Sequence, residues 1–236
     1  MNIIEIITDS LMYPINNLGA VVLYAVMGIV AALVLVFTGV GISVGAASDN
    51  LAAAGIVGVI GIIIAAVLFL LIEGYALDVV KYGISRNDGA PGIDFARQVV
   101  NGIKLIVVNI VYFLIPILLT FLIAIIFSQW ITQLACLILF IIFGLAEFMA
   151  ECRLAKTDSL NSALSIGEAI GDISRVGILK LVVTLLAVGI ISGIITYIIN
   201  AISGFNSFIG AILLGIFGIY IVLFSNRATG LLYSDV

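Results

Sequence analysis

The chain reads as an all-α integral membrane protein: six transmembrane helices, amphipathic interfacial helices and a parallel internal repeat, in a single membrane domain of 236 residues. Three observations predict it. Hydrophobic residues make up 64% of the sequence and charged residues 9%, against about 45–50% and 25% in soluble domains. Six apolar runs, at about 18–42, 51–72, 103–127, 130–150, 178–199 and 205–224, reach the roughly 20 residues that cross a hydrocarbon layer. Seventeen of the 22 charged residues fall in two similar segments, 73–108 and 147–183. Lipid cannot satisfy an open backbone, so apolar runs of this length are read as helices.

Residues 1–17 read as a short interfacial helix, with Ile3, Ile4, Ile7 and Leu11 on one side and Glu5, Asp9 and Asn16 toward the other. Pro14 and Asn16-Asn17 end it before span one. Residues 45–50 form a turn, and Gly55, Gly58 and Gly61 then open span two as small residues for close helix packing. Packing is preferred there to a nucleotide loop, because G-x-G-x-x-G requires a preceding strand and nothing here reads as one. Residues 85–92 (SRNDGAPG) are the clearest loop. Beyond it, Ile93, Ala96, Val99, Val100 and Ile103 at helical spacing predict a surface helix leading into span three, which contains Asn109, Tyr112 and a kinking Pro116. Trp130 marks the next turn as an interfacial aromatic.

Span four ends at Glu147 and Glu151. A second interfacial helix follows, with Asn161, Ser165, Glu168, Asp172 and Arg175 on its polar side and Leu160, Ala163, Leu164, Gly167, Ile170 and Ile173 opposite. Span five carries Gly189-x-x-x-Gly193, a motif for close packing against another span or another subunit, with packing inside the monomer the first expectation. Span six runs to Asn226-Arg227.

All nine basic residues lie between spans two and three, between spans four and five, or after span six, and of 13 acids only Asp49 belongs to an opposite turn. The positive-inside rule therefore predicts both termini and the interfacial segments 73–102 and 151–177 in the cytoplasm. Gly102 aligns with Gly177, and Asp94-x-x-Arg97 aligns with Asp172-x-x-Arg175 after a small gap. Span six with Asn226-Arg227, joined to the N-terminal helix with span one, reads as a split third copy. The expectation is a pseudo-threefold set of helical hairpins.

Several function classes are excluded or left without support. With no histidine in the chain, imidazole is unavailable as base, ligand or pH switch. A net charge of −4 argues against nucleic acid, which needs a basic stripe. Cys136 and Cys152 lie 16 residues apart, roughly 24 Å along one helix, too far to pair. No cleaved signal peptide is expected, because residues 1–17 hold no Lys or Arg. No catalytic residue, cofactor or metal site is assigned.

The candidate polar cluster consists of Glu73, Asp94, Arg97, Glu147, Glu151, Asp172, Arg175 and Asn226. Ionisable residues near a hydrocarbon boundary are suspects for function or for anchoring. Glu147 and Glu151 share a helix face and repel, so they are expected to share a cation: Arg153, Lys156, an arginine of a surface helix or, as the last choice, a metal ion. Arg97 and Arg175 are expected to reach Glu73 and Glu147, clamping the surface helices to the bundle.

The stretches EGYALDVVKYG, GAPGIDFARQVVNGIK, MAECRLAKTDSL, IGEAIGDISRVGILK and NRATGLLYSD resemble the archaeal membrane family catalogued as domain of unknown function 4013, frequent in methanogens. The resemblance implies a multi-pass protein of the cell membrane and transfers no activity. The leading functional reading is a non-catalytic membrane scaffold or accessory subunit, its partners the lipid bilayer and a protein, either foreign or a second copy. A transporter or channel for a small solute is the alternative, and a lipid-handling membrane enzyme comes third.

Overall fold

The computed structural model describes residues 1–236 as nine helices: α1 (Ile3–Asn16), α2 (Leu18–Ala47), α3 (Leu51–Ile84), α4 (Phe95–Ile126), α5 (Gln129–Thr157), α6 (Leu160–Ala163), α7 (Ile166–Val176), α8 (Ile178–Ser203) and α9 (Ser207–Tyr233). Six of them, α2, α3, α4, α5, α8 and α9, are long and apolar enough to cross a membrane. Their outward faces keep large apolar side chains such as Phe121, Ile126, Leu137, Ile190 and Tyr197 more than half exposed, the surface of a multi-pass membrane protein.

Short polar residues set the helix starts. Asn2 and Glu5 form a reciprocal capping box on α1, with distances of 2.8 and 2.9 Å. Asn50 accepts from the Ala53 N–H, Asp94 from the Arg97 N–H, and Asn206 from the N–H groups of Phe208 and Ile209. Asp158, in the left-handed region at φ 54°, stops α5.

The three helices α3, α5 and α9 run toward the polar end and touch one another, α3 packing on both α9 and α5. The returning helices flank them: α2 lies in the seam between α3 and α9, α4 packs on α3 and α5, and α8 packs on α9. The short α1 lies along α9 and α8. The one seam of this ring without extensive contact is that between α5 and α8. Between membrane helices the solvent supplies no hydrophobic drive, so close packing must hold them. The helices α3 and α4 meet backbone to backbone, where a Cβ on Gly74 would lie 1.8 Å from the Gln98 carbonyl oxygen and one on Gly102 would lie 2.4 Å from that of Leu70. The Tyr24 and Tyr75 rings stack at 4.1 Å in the smaller core between α2 and α3.

Several details differ from the sequence expectation. The surface helix before span three is not separate: α4 is one helix of 32 residues, because Gly102 is pressed into α3 and leaves no corner. At the aligned Gly177 the chain does turn, at φ 92°, a value only glycine adopts without strain. The second interfacial segment is broken into α6 and α7, and its buried face is Ala169, Asp172, Ile173 and Val176, while Gly167 is exposed. On α1 the buried residues are Ile6, Ser10, Tyr13 and Pro14, and Ile4 is 78% exposed. Added Cβ atoms at Gly189 or Gly193 would meet nothing within 4 Å, so that motif does not pack inside the monomer. Of the span-two glycines, Gly58 and Gly61 face Ile42 and Thr38 of α2, and Gly55 faces open space.

Candidate functional site

Apart from those of the chain ends and the two that Arg175 makes with Glu168 and Asp172 inside α7, the ion pairs link a span to a polar segment, and all lie at one end of the bundle. Three of them occupy equivalent places. At the end of α3, Asp78 takes the Arg97 guanidinium at 3.0 Å and the Asn101 amide at 3.2 Å. Arg97 also donates to the Gly92 carbonyl at 2.7 Å. At the end of α5, Arg153 donates to Asp172 at 3.0 Å and to the Ser162 carbonyl at 3.0 Å. Near the end of α9, Arg227 donates to Asp9 of α1 at 2.8 Å. The first two pairs each span 19 residues with their signs exchanged, and Arg153 and Asp172 each stand 75 positions after Asp78 and Arg97.

That spacing is the same 75 that separates Gly102 from Gly177. The gap expected from aligning Asp94-x-x-Arg97 with Asp172-x-x-Arg175 is therefore unnecessary. Those two motifs also do different work: Asp94 caps α4 through the Arg97 N–H at 3.1 Å, whereas Arg175 donates to the Asp172 carboxylate at 2.7 Å.

Two hubs are buried. Asp172 is fully buried and accepts from Arg153, Arg175 and the Tyr233 hydroxyl. Burial by itself raises its pKa, but the hydrogen bonds from Tyr233, Arg153 and Arg175 outweigh it and hold the carboxyl below its usual range. Arg227, 1% exposed, donates to Asp9, to the Asn87 carbonyl at 2.6 Å and to Asp88 at 2.6 Å, and lies 4.8 Å from the Tyr13 ring centroid. Burial pushes the Tyr13 phenol up to about 12, against the pull of Arg227. That phenol donates to the Gly89 carbonyl at 3.1 Å, so α1, α9 and the 85–92 loop close on one another.

Further links join the three units. Lys104 pairs with Asp158. Asp235 gathers Lys180 at 3.0 Å, the Met1 amine at 3.1 Å and Arg86, and the hydrogen bond from Lys180 leads in holding its carboxyl low.

Glu73, Glu147 and Glu151 stand apart from this net. Glu73 lies five residues before Asp78 and Glu147 six before Arg153, about 7–9 Å farther along their helices. No arginine or lysine pairs with any of the three. Arg97 turns to Asp78, Arg175 to Asp172 and Glu168, Arg153 to Asp172, and Lys156 sits over the Tyr233 ring at 5.6 Å. The expected arginine clamp on Glu73 and Glu147 and the shared cation for Glu147 and Glu151 are thus not formed. The Asn109 amide, oriented to satisfy both contacts, donates to the Leu105 carbonyl at 3.0 Å and to Glu147 at 3.3 Å. Glu73 lines two cavities, one of about 410 Å³ between α3 and α4 and one of about 240 Å³ between α2, α3 and α9.

Asn226 donates to the Val222 carbonyl of its own helix, and its neighbour Arg227 makes the latch. Asp9, Asp78, Asp88, Arg153, Arg227 and Tyr233 were absent from the sequence-derived cluster. The recoverable signal was a pair of opposite charges 19 apart, repeated at a constant offset.

A sequence model of one protein family, described as Protein of unknown function (DUF4013), matches residues 57–204. The match runs from within α3 to the end of α8. No curated protein and no solved structure matches the chain. The matched span exceeds half of the sequence, and the chain belongs to the DUF4013 family of proteins of unknown function.

Proposed function

We propose that the protein is a non-catalytic membrane scaffold or accessory subunit whose polar end is a latched platform for a protein partner. The observation that carries this reading is the ion-pair net, in which each span that arrives at the polar end is tied to a following or preceding amphipathic segment. Fixing three segments with buried charge pairs yields a stiff surface, and Arg86, Asp88, Asp94, Lys156, Asp158, Glu168 and Arg175 remain exposed upon it. The nine basic residues at that end support a cytoplasmic placement in the cell membrane. The hydroxyls of Ser10, Ser85, Thr157, Ser165 and Thr229 donate to carbonyls four residues back in the chain and act as local structure. Transport of a small solute is the second reading, favoured by the unpaired Glu73 facing two cavities.

Copurification from native membranes in mild detergent, with mass spectrometry of bound protein and lipid, tests the proposal. A stoichiometric protein partner is expected. A partner-free protein carrying one enriched solute would overturn the scaffold reading in favour of transport.

A further inference from the structure

The cavity between α2, α3 and α9 is not isolated. A further cavity of about 210 Å³ lies beside it along the seam of α2 and α9 and reaches Asn200, Ser203 and Ser207 at the opposite end of the bundle. The two share Ala32, Leu35 and Leu214 as walls, so they form one groove. Along α9 it runs from Ser207 to Val222, about 22 Å of helix. Gly28 and Gly215 bring α2 and α9 into contact beneath it, a Cβ on Gly28 lying 2.8 Å from the Gly215 carbonyl oxygen. Gly218 faces open space, with nothing within 4 Å of an added Cβ.

Glu73 is the single charged residue lining this groove. Seven of the nine basic side chains are held in ion pairs elsewhere, Lys156 lies over Tyr233, and Lys81 is eight residues farther along α3, about 12 Å away along the axis. A carboxylate without a partner beside an apolar slot is costly to leave uncompensated. The third cavity, between α3 and α4, opens on the other side of Glu73 and Phe69 and contains Asn109, giving room for a polar head.

We propose that this groove binds a long-chain ammonium amphiphile, its cationic head on Glu73 and its tail along α2 and α9. A single apolar chain matches a slot about 22 Å long, and the cationic head matches the lone carboxylate. A phospholipid is a poorer fit, because no basic side chain lines the groove to balance its phosphate. The site is separate from the charge net and does not depend on the scaffold reading.

Dodecylamine binding to the full-length protein in phosphatidylcholine nanodiscs, followed by native mass spectrometry, tests the assignment, with dodecanol as the neutral competitor. Glu73→Gln removes the charge without orphaning a partner, and Gly218→Leu fills the groove from an open position. Wild type is expected to bind one dodecylamine saturably, each variant at least about tenfold more weakly, and dodecanol is expected to compete poorly. Equal occupancy in wild type and both variants means partition into lipid only and overturns the site. Equal displacement by dodecanol overturns the role of Glu73. The two variants act independently, so a folding defect in one leaves the other as the test.

Discussion

Replacing Arg227 by methionine removes the most buried cation in the protein while keeping an unbranched side chain at that position. Three carbonyl or carboxylate partners and an aromatic face lose their cation at once: Asp9, Asp88, the Asn87 carbonyl and the Tyr13 ring. Breaking a buried ion pair from one side costs about 3–5 kcal/mol. Asp88 is 86% exposed and returns to solvent for about 0–1 kcal/mol, whereas Asp9, at 32%, is only partly resolvated. The lower end applies, about 3 kcal/mol, or a fall in Tm of about 6–12 °C for a chain of this size. Thermal unfolding in detergent reads it, and Asp9→Asn added to Arg227→Met recovers part of the loss by removing the orphaned carboxylate. A fall of less than about 2 °C would refute the assignment of Arg227 as a structural hub.

Other outcomes follow from the same geometry. The Asp172 carboxyl is held low in the folded protein, so the stability it supplies is present above the ordinary carboxylate range and is lost as pH falls through its folded value; the acid limb of Tm against pH is therefore expected to flatten in Asp172→Asn. Gly74→Ala drives a Cβ into the Gln98 carbonyl and is expected to cost about 1–3 kcal/mol, while Gly189→Ala, with open space around it, leaves the melting temperature unchanged or higher. For orientation, cysteines introduced singly at Asp49 and Asp158 report opposite sides: an impermeant maleimide on intact cells labels Asp49→Cys, and Asp158→Cys reacts only after permeabilisation. The reverse pattern would invert the proposed topology.

The spans were legible because apolar runs of membrane length have few other homes, and the concentration of charge at one end was legible because membranes forbid it elsewhere. The register of the two linear copies was only half legible. Gly102 and Gly177 are 75 residues apart, the same offset as the two ion pairs, yet one is a contact glycine buried against α3 and the other a corner at φ 92°. Motif matching paired Arg97 with Arg175 by identity, whereas the contacts equate Arg97 with Asp172 and Asp78 with Arg153, residues of opposite sign. A charge pair survives reversal of its signs, so residue identity conceals what distance reveals. Asp172 was assigned to a solvated face because helical periodicity treats carboxylates as polar; three donors converging from α5, α7 and α9 make its burial affordable, and none of them is local except Arg175.

The central claim is that the charge latches, not their particular signs, hold the polar end together. Melting temperatures of Asp78→Arg, Arg97→Asp and the double exchange test it most directly, because the second unit already carries the inverted pair. Each single variant places like charges together and is expected to lose about 3 kcal/mol or more, and the double exchange is expected to recover most of that loss. If the double variant is as unstable as the sum of the two, sign and not pairing governs the site, and the equivalence of the latches fails.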